Sequence, residues 1–233
     1  MRKMEFGNGL KDGLPICLGY LAVSFSFGMI ATKGGLPGWS TIGLSMTNLT
    51  SAGQFAAVNL MLAGAPLSEI GLTTLIINIR YLLMSLVLSQ RIEKMRLVKR
   101  LIFSFGITDE VFTVASTRYK RVGFWYMLGL ILTPYIGWSF GTVLGVFVNG
   151  LLPPAVSSAL GISLYAMFIA IVIPAARKDK AVLATLGIAV GLRCLLKYTP
   201  GLSAISEGWA IILVTVVTAA FAATLFPYRE EEQ

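Results

Sequence analysis

The chain contains no histidine, only two cysteines and few charged residues. Asp, Glu, Lys and Arg make up 13% of its 233 residues, against about 25% in soluble domains. Without histidine or a Cys-x-x-Cys pair, the usual zinc ligand sets are missing, so we expect no metal site and no cofactor. Cys17 and Cys194 lie in apolar segments and are expected to pack as small hydrophobic side chains.

The same absences argue against an enzyme. An intramembrane enzyme built on Asp109 and Glu110 would lack a histidine, a metal site and any recognisable nucleophile pair, so we expect no catalytic residues. No nucleotide-binding loop is present, which argues against direct use of ATP. The net charge of +8 does not indicate nucleic acid either. The basic residues lie in short loops between apolar runs, where they report orientation in a membrane.

Long apolar runs are what the chain has in abundance. Hydrophobic residues make up 56% of the sequence, and segments such as 211–217 are apolar at successive positions, which favours helices over a β-barrel. Because a spanning helix needs roughly 20 apolar residues, the whole chain, 1–233, is predicted to be a single membrane domain with possible halves at 13–100 and 101–227. The predicted fold class is an all-α, polytopic transmembrane helix bundle with about seven membrane segments, some of them broken or re-entrant.

Basic clusters at 91–100, 118–121 and 177–180 predict cytoplasmic loops and a cytoplasmic C-terminus. Three spans before residue 91 would place the N-terminus outside, and this seven-span topology is our prediction. Arg2 and Lys3 would prefer the cytoplasm, however, and the alternative is an early segment that dips in and returns. The 101–117 stretch has basic flanks on both sides, so it should return to the side it entered or lie along the membrane surface.

Polar residues interrupt the second apolar segment, 40–63. On a continuous helix, Asn48, Ser51 and Gln54 would lie near one face, and all three are candidate substrate-binding residues. A broken helix here would offer backbone N–H groups and carbonyls to a zwitterionic ligand. The alternative is that these side chains only join helices by hydrogen bonds and close packing.

Asn78 and Arg80 are also candidate substrate-binding residues, in the third segment. Two positions apart on a helix, they cannot share one face. A lipid-facing guanidinium at this depth would cost about 3 kcal/mol or more. Arg80 should therefore pair with Asp109 or Glu110, or receive a substrate carboxylate. A purely structural ion pair is the alternative.

Asp109 and Glu110 follow Thr108 in the middle of an apolar stretch. Two adjacent carboxyl groups at membrane depth are candidates for carrying protons, and so for coupling transport to a proton gradient. The alternative is a helix N-terminus, with Thr108 or Asp109 as the cap and the acids favourable to the helix dipole. The two roles are compatible.

Several of these motifs, in this order, resemble the AzlC family of bacterial permeases, the larger subunit of branched-chain amino-acid exporters. The residues that carry the resemblance are Gly13–Ile16 with Gly19–Tyr20, Ser51–Phe55, Leu72–Arg80, Thr108–Glu110, and Trp138 with Gly141–Thr142. Two positions depart from the family's pattern: Tyr81 stands where the family often has histidine, and Gly53 where it often has alanine. Both leave the substrate range open.

The resemblance implies a secondary exporter of branched-chain and related small apolar amino acids in the bacterial cytoplasmic (inner) membrane. It also implies a small AzlD-type membrane protein as a partner. The alternatives are a non-transporting membrane scaffold subunit, or a transporter of another small metabolite.

Overall fold

A computed structural model describes residues 2–93, 95–118, 122–148, 150–151, 153, 156 and 162–226. The basic residues Lys94, Lys120 and Arg121 lie outside the described residues. The described part is helical, with one short 3₁₀ turn at Leu202–Ala204. Its α-helices are α1 (Arg2–Lys33), α2 (Gly38–Thr47), α3 (Ala52–Leu62), α4 (Leu67–Ser89), α5 (Leu97–Phe105), α6 (Asp109–Arg118), α7 (Phe124–Val148), α8 (Ser163–Lys178), α9 (Lys180–Tyr198) and α10 (Glu207–Leu225).

Five of these helices, α1, α4, α7, α9 and α10, are long and apolar enough to cross a membrane. Helix α8 has 16 residues and is shorter. The described residues contain no β-strand, only one isolated bridge between Ile92 and Val122. The prediction of an all-α, polytopic membrane bundle with broken helices is therefore confirmed.

Helices α1 and α7 run parallel with their backbones in contact. A methyl group at Gly9 would lie 2.1 Å from the carbonyl oxygen of Tyr126, and one at Gly28 would lie 2.4 Å from that of Thr142. The contact therefore advances along both helices in the same direction. Glycine on both sides permits this approach, as in other membrane helix pairs. The largest buried side chains of the core, including Phe27 and Trp138, lie along this pair.

The parallel arrangement places the N-terminus at the basic end of the bundle. Arg2 and Lys99 line the same cavity, together with Trp125 at the start of α7. If the 91–100 loop is cytoplasmic, the N-terminus is cytoplasmic too. The structure therefore contradicts the predicted arrangement, in which the N-terminus and the 91–100 loop lie on opposite sides of the membrane, and it contains the alternative, an early segment that dips in and returns.

That segment is a helical hairpin formed by α2 and α3, here called the outer hairpin. Helix α2 runs antiparallel to α7, from the outer end toward the middle of the bundle. Ser45 hydrogen-bonds Thr142 at 2.6 Å, and the hydroxyl of Tyr135, two turns earlier in α7, donates to the carbonyl of Met46 at 3.1 Å. Helix α3 returns toward the outer end along α1, where Phe55 packs on Phe27 with ring centres 5.3 Å apart. Its tip, residues 48–51, therefore lies inside the bundle.

Helices α5 and α6 form a second hairpin, the inner hairpin, which enters from the basic end. Lys99 lies over the ring of Phe124 at the start of α7, while Phe105 packs on Tyr135 further along it. Helix α6 then returns, and the carbonyl of Ser116 accepts a 2.6 Å bond from Arg91. Its tip, residues 106–108, also lies inside the bundle. Of the two expectations for 101–117, a return to the side of entry is therefore the correct one.

The remaining helices complete the order of crossings. Glu69 near the start of α4 accepts a 3.1 Å bond from the backbone N–H of Gly208 near the start of α10, so both helices begin at the outer end. Arg193 near the end of α9 pairs with Glu207. A single residue separates the end of α8 from the start of α9, so the two helices meet at the end of the bundle opposite Glu207. The described helices thus comprise five candidate spans, the shorter α8 and two re-entrant hairpins, with the start of α1 and the end of α10 both at the basic end.

Helices from the two possible halves of the predicted single domain, 13–100 and 101–227, contact each other. Helix α1 of the first half packs along its length on α7 of the second. Helix α4 contacts both α6 and α10. The candidate functional residues described below lie near these contacts between helices.

Candidate functional site

The tips of the two hairpins meet beside the middle of α4. Arg80 on α4 forms an ion pair with Asp109 in the first turn of α6, with 2.9 Å between Nη1 and Oδ2. Both side chains are about one-third exposed. Of the two carboxyl groups considered for Arg80 from the sequence, the structure selects Asp109. Asn78 contacts a different helix, α3, as its spacing from Arg80 requires.

Glu110 contacts the other side of the bundle. The Tyr20 hydroxyl on α1 donates to Glu110 Oε2 at 2.5 Å, and the Tyr20 ring packs edge-on against Trp138 of α7 at 5.3 Å. Thr108 Oγ1 accepts from the N–H of Val111 at 3.4 Å, which caps α6. Thr108 is thus a helix cap, while the two acids also bind α4 and α1.

The outer tip breaks the helix between Thr47 and Ala52. Asn48 ends α2 in an extended conformation, and Ser51 precedes α3 with φ of +38°. Ser51 is the only non-glycine among the described residues with positive φ, a conformation that costs an ordinary residue energy and marks strained functional segments. The predicted break in the helix is therefore present, and Asn48, Ser51 and Gln54 do not share the face that a continuous helix would have given them.

Consecutive residues of α4 contact both tips. Arg80 Nη2 donates to the Tyr81 hydroxyl, and that hydroxyl donates to the carbonyl of Thr50, each at 3.4 Å. The guanidinium also lies over the Tyr81 ring, 5.1 Å from its centre. One turn earlier, the Asn78 amide lies against Gly53, where a methyl group would come within 2.7 Å of Oδ1. Helix α4 thus holds the two tips together.

Several buried polar atoms at this meeting point have no hydrogen-bond partner among the described residues. Gln54 is fully buried, and neither its Oε1 nor its Nε2 is paired. The other unpaired atoms here are Thr50 Oγ1, Asn78 Oδ1, Arg80 Nε and Trp138 Nε1. Leaving a buried polar group unpaired costs about 1–3 kcal/mol. Proteins rarely keep such groups without a use.

The sequence interpretation missed Tyr20, Tyr81 and Trp138 as members of this site. Tyr20 and Trp138 were noticed only within motifs, and Tyr81 only as a departure from a family pattern. Each carries one polar atom on a large apolar ring inside a predicted span. Buried tyrosine and tryptophan usually need a hydrogen-bond partner for that atom. This requirement could have identified the three residues from the sequence as members of a polar site.

A cavity away from the hairpin tips has a different character. It is an open groove of about 800 Å³ among α8, α9 and α10, lined by apolar residues such as Val172, Leu186 and Phe226 and by one hydroxyl, that of Thr185. None of the described residues that line it is charged. No cluster of metal-ligating side chains occurs within the described residues. Most of the unpaired buried polar atoms lie at the hairpin tips, although Thr73 and Thr218 each have an unpaired hydroxyl elsewhere.

Two broken hairpins that enter from opposite ends, with polar tips meeting at mid-depth, define a multi-pass membrane protein of the transporter class. Residues 15–152 match the family model described as "AzlC protein". The chain belongs to the AzlC family. The matched region runs from within α1 to the end of α7 and includes both hairpins.

Curated relatives support this assignment. Inner membrane protein YgaZ of Escherichia coli is 33% identical over 188 residues, which cover 77% of each chain. An uncharacterized membrane protein of Archaeoglobus fulgidus is 33% identical over 171 residues, covering 72% of this chain and 75% of its own. No solved structure matches. The relatives and the apolar helices confirm a multi-pass protein of the inner membrane.

Proposed function

We propose that the chain is a secondary exporter of branched-chain and related small apolar amino acids. The observation that carries this proposal is the set of unpaired buried polar atoms at the hairpin tips. They include acceptors, Gln54 Oε1 and Asn78 Oδ1, which suit an ammonium group. They also include donors, Gln54 Nε2 and Arg80 Nε, which suit a carboxylate. A zwitterion satisfies both sets at once.

The helix N-termini favour the same ligand. Helices α3 and α6 both begin at the tips, so their positive dipole ends point toward the centre. Asp109 and Glu110 occupy the first turn of α6. The first turn of α3 has no acidic residue and its N-terminus has no side-chain cap. It is therefore suited to the carboxylate of a substrate.

The neighbouring packing favours an apolar side chain on the substrate. Phe55 follows Gln54 directly and is buried against Phe27. A charged substrate side chain would need a further counter-charge, and Asp109, the partner of Arg80, is already engaged. Small apolar amino acids fit these conditions.

The proposal includes a small AzlD-type membrane subunit. The family resemblance supports it, and so does α9, none of whose residues is buried within the chain. A catalytic role is not proposed, because Asp109 and Glu110 bind Arg80 and Tyr20 rather than a nucleophile.

Efflux from proteoliposomes tests the proposal. Vesicles loaded with labelled valine, containing the purified chain with and without its small subunit, should release valine in a saturable manner, and isoleucine should compete. Empty vesicles are the control. Release no faster than from empty vesicles, with the subunit present, would contradict the proposal. A scaffold subunit would instead keep its complex when Gln54 or Arg80 is substituted and show no efflux in any form.

A further inference from the structure

The acidic pair at the start of α6 is not balanced by positive charge. Arg80 pairs with Asp109. Glu110 accepts only the Tyr20 hydroxyl, and no cationic side chain in the described part of the chain pairs with it. When both acids are ionised, this cluster carries one excess negative charge. Such a charge at membrane depth is costly unless something compensates it.

The side chains around Glu110 determine how its negative charge can be balanced. The titratable and charged groups around it are Tyr20 on α1, Arg80 and Tyr81 on α4, and Asp109 on α6 itself. Helix α7 contributes Trp138, which does not titrate. None of these supplies a free positive charge, so the charge must come from a proton or from a cationic ligand group.

Buried polar atoms beside the cluster indicate a ligand independently of the acids. Trp138 is fully buried, its Nε1 is unpaired, and its ring packs on the tyrosine that binds Glu110. Gln54, also fully buried, has two unpaired atoms at the outer tip. That tip connects to the cluster through Tyr81.

We propose that Glu110 binds either a proton or the ammonium group of the substrate, one at a time, so that amino-acid efflux is exchanged for proton entry. This inference rests on the proposed transport function. On the cytoplasmic side, the ammonium group displaces the proton, which leaves to cytoplasmic water. On the outer side, a proton from external water displaces the amino acid. Each cycle moves one proton in and one zwitterion out, while Asp109 stays paired with Arg80.

Calorimetric titration of the purified protein with valine tests this competition. Titrations in two buffers of different protonation enthalpy, repeated at several pH values, count the protons released. The wild type should release up to one proton per valine. Glu110→Gln should release none and should bind valine about tenfold or more weakly, as expected for loss of a charged partner.

Two further variants separate this role from a structural one. Glu110→Asp keeps a carboxyl group and should restore proton release even if its affinity is lower. Glu69→Gln changes a buried carboxyl near the start of α4, away from this cluster, and should release protons as the wild type does. Valine binding by the wild type without proton release at any pH would overturn the inference while leaving the proposed function intact. Equal release by Glu110→Gln would overturn it as well. A wild type that neither binds nor exports valine would contradict the proposed function itself.

Discussion

Arg80 shows how a single side chain determines the arrangement of a membrane site. Its guanidinium has five donors in a planar group. One nitrogen pairs with Asp109 on the inner hairpin, and another donates to Tyr81, which holds the outer tip. The Nε atom remains unpaired. The residue is therefore both a structural link and a candidate ligand for a carboxylate.

Removing one member of the Arg80–Asp109 pair should destabilise the protein more than removing both. Arg80→Gln or Asp109→Asn alone leaves a charge without its partner. We expect each to cost about 1–2 kcal/mol, below the 3–5 kcal/mol of fully buried pairs because both side chains are partly exposed. The double variant should recover part of the loss. Thermal unfolding in detergent measures this cycle, and purely additive losses would show that the two groups do not interact.

Gly53 leaves room for the side-chain amide of Asn78 beside the outer tip. Gly53→Ala would place a methyl group 2.7 Å from Asn78 Oδ1 and 2.9 Å from Thr50 Oγ1. Both are side-chain atoms that can shift, so we expect weaker valine efflux and a slightly lower melting temperature. Gly43→Ala, in the same hairpin, meets nothing within 4 Å and should preserve both, with stability unchanged or raised by up to about 1 kcal/mol. Equal behaviour of the two variants would contradict the described tip.

The sequence predicted part of this site and missed part of it. The need of Arg80 for an acid follows from the cost of an unpaired charge in lipid, and only two acids lie nearby in an apolar stretch. The contact of Tyr20 with Glu110 joins residues 90 positions apart. Such a contact depends on how α1 packs against the inner hairpin, and periodicity in one sequence does not reveal helix pairing.

At the scale of elements, some helix boundaries were predictable from the sequence and the directions of the hairpins were not. Residues 123–148 form a long apolar run, and α7 extends over nearly all of it, Phe124–Val148, with Gly150 and Pro153 after its end. The predicted segment 40–63 is two helices. Its polar residues indicated a weak point. Whether the chain continues or turns back there depends on contacts with α1 and α7.

Close contact between α1 and α7 should depend on glycine at the points where the backbones touch. Gly28→Ala would bring a methyl group to 2.4 Å from the Thr142 carbonyl oxygen, so the helices must separate. We expect a loss of about 1–3 kcal/mol, typical of overpacking. Gly19→Ala in the same helix faces open space and is the matched control. Melting curves of both variants in detergent measure the difference, and an unaffected Gly28→Ala would argue against the parallel pair.

At the scale of the whole molecule, the re-entrant hairpins explain why charge and hydropathy disagreed. The positive-inside rule assumes that each apolar segment crosses. The 40–63 segment enters and returns as the outer hairpin, so counting it as one crossing places the N-terminus on the opposite side from the 91–100 loop. The basic residues Arg2 and Lys3 indicated that the N-terminus lies on the same side as the basic 91–100 loop. The structure agrees, because α1 and α7 run parallel and both begin at that end of the bundle.

Reporter fusions test this topology in cells. Green fluorescent protein fused to the N-terminus or the C-terminus should fluoresce, because α1 begins and α10 ends at the basic end of the bundle, which we expect to face the cytoplasm. Alkaline phosphatase, which is active only outside the cytoplasm, should be inactive at either end and active when inserted at Ser68, near the outer end of α4. An active phosphatase at the N-terminus would contradict the order of crossings.

The unpaired amide of Gln54 provides the most direct test of a transport site at the hairpin tips. Gln54→Met replaces a fully buried polar side chain with an apolar one of similar size. If the amide is kept for a ligand, its removal should relieve a cost of about 1–3 kcal/mol. The variant should therefore melt at a higher temperature than the wild type and lose valine binding, both measured on one purified sample. A lower melting temperature, or valine binding equal to that of the wild type, would contradict the account.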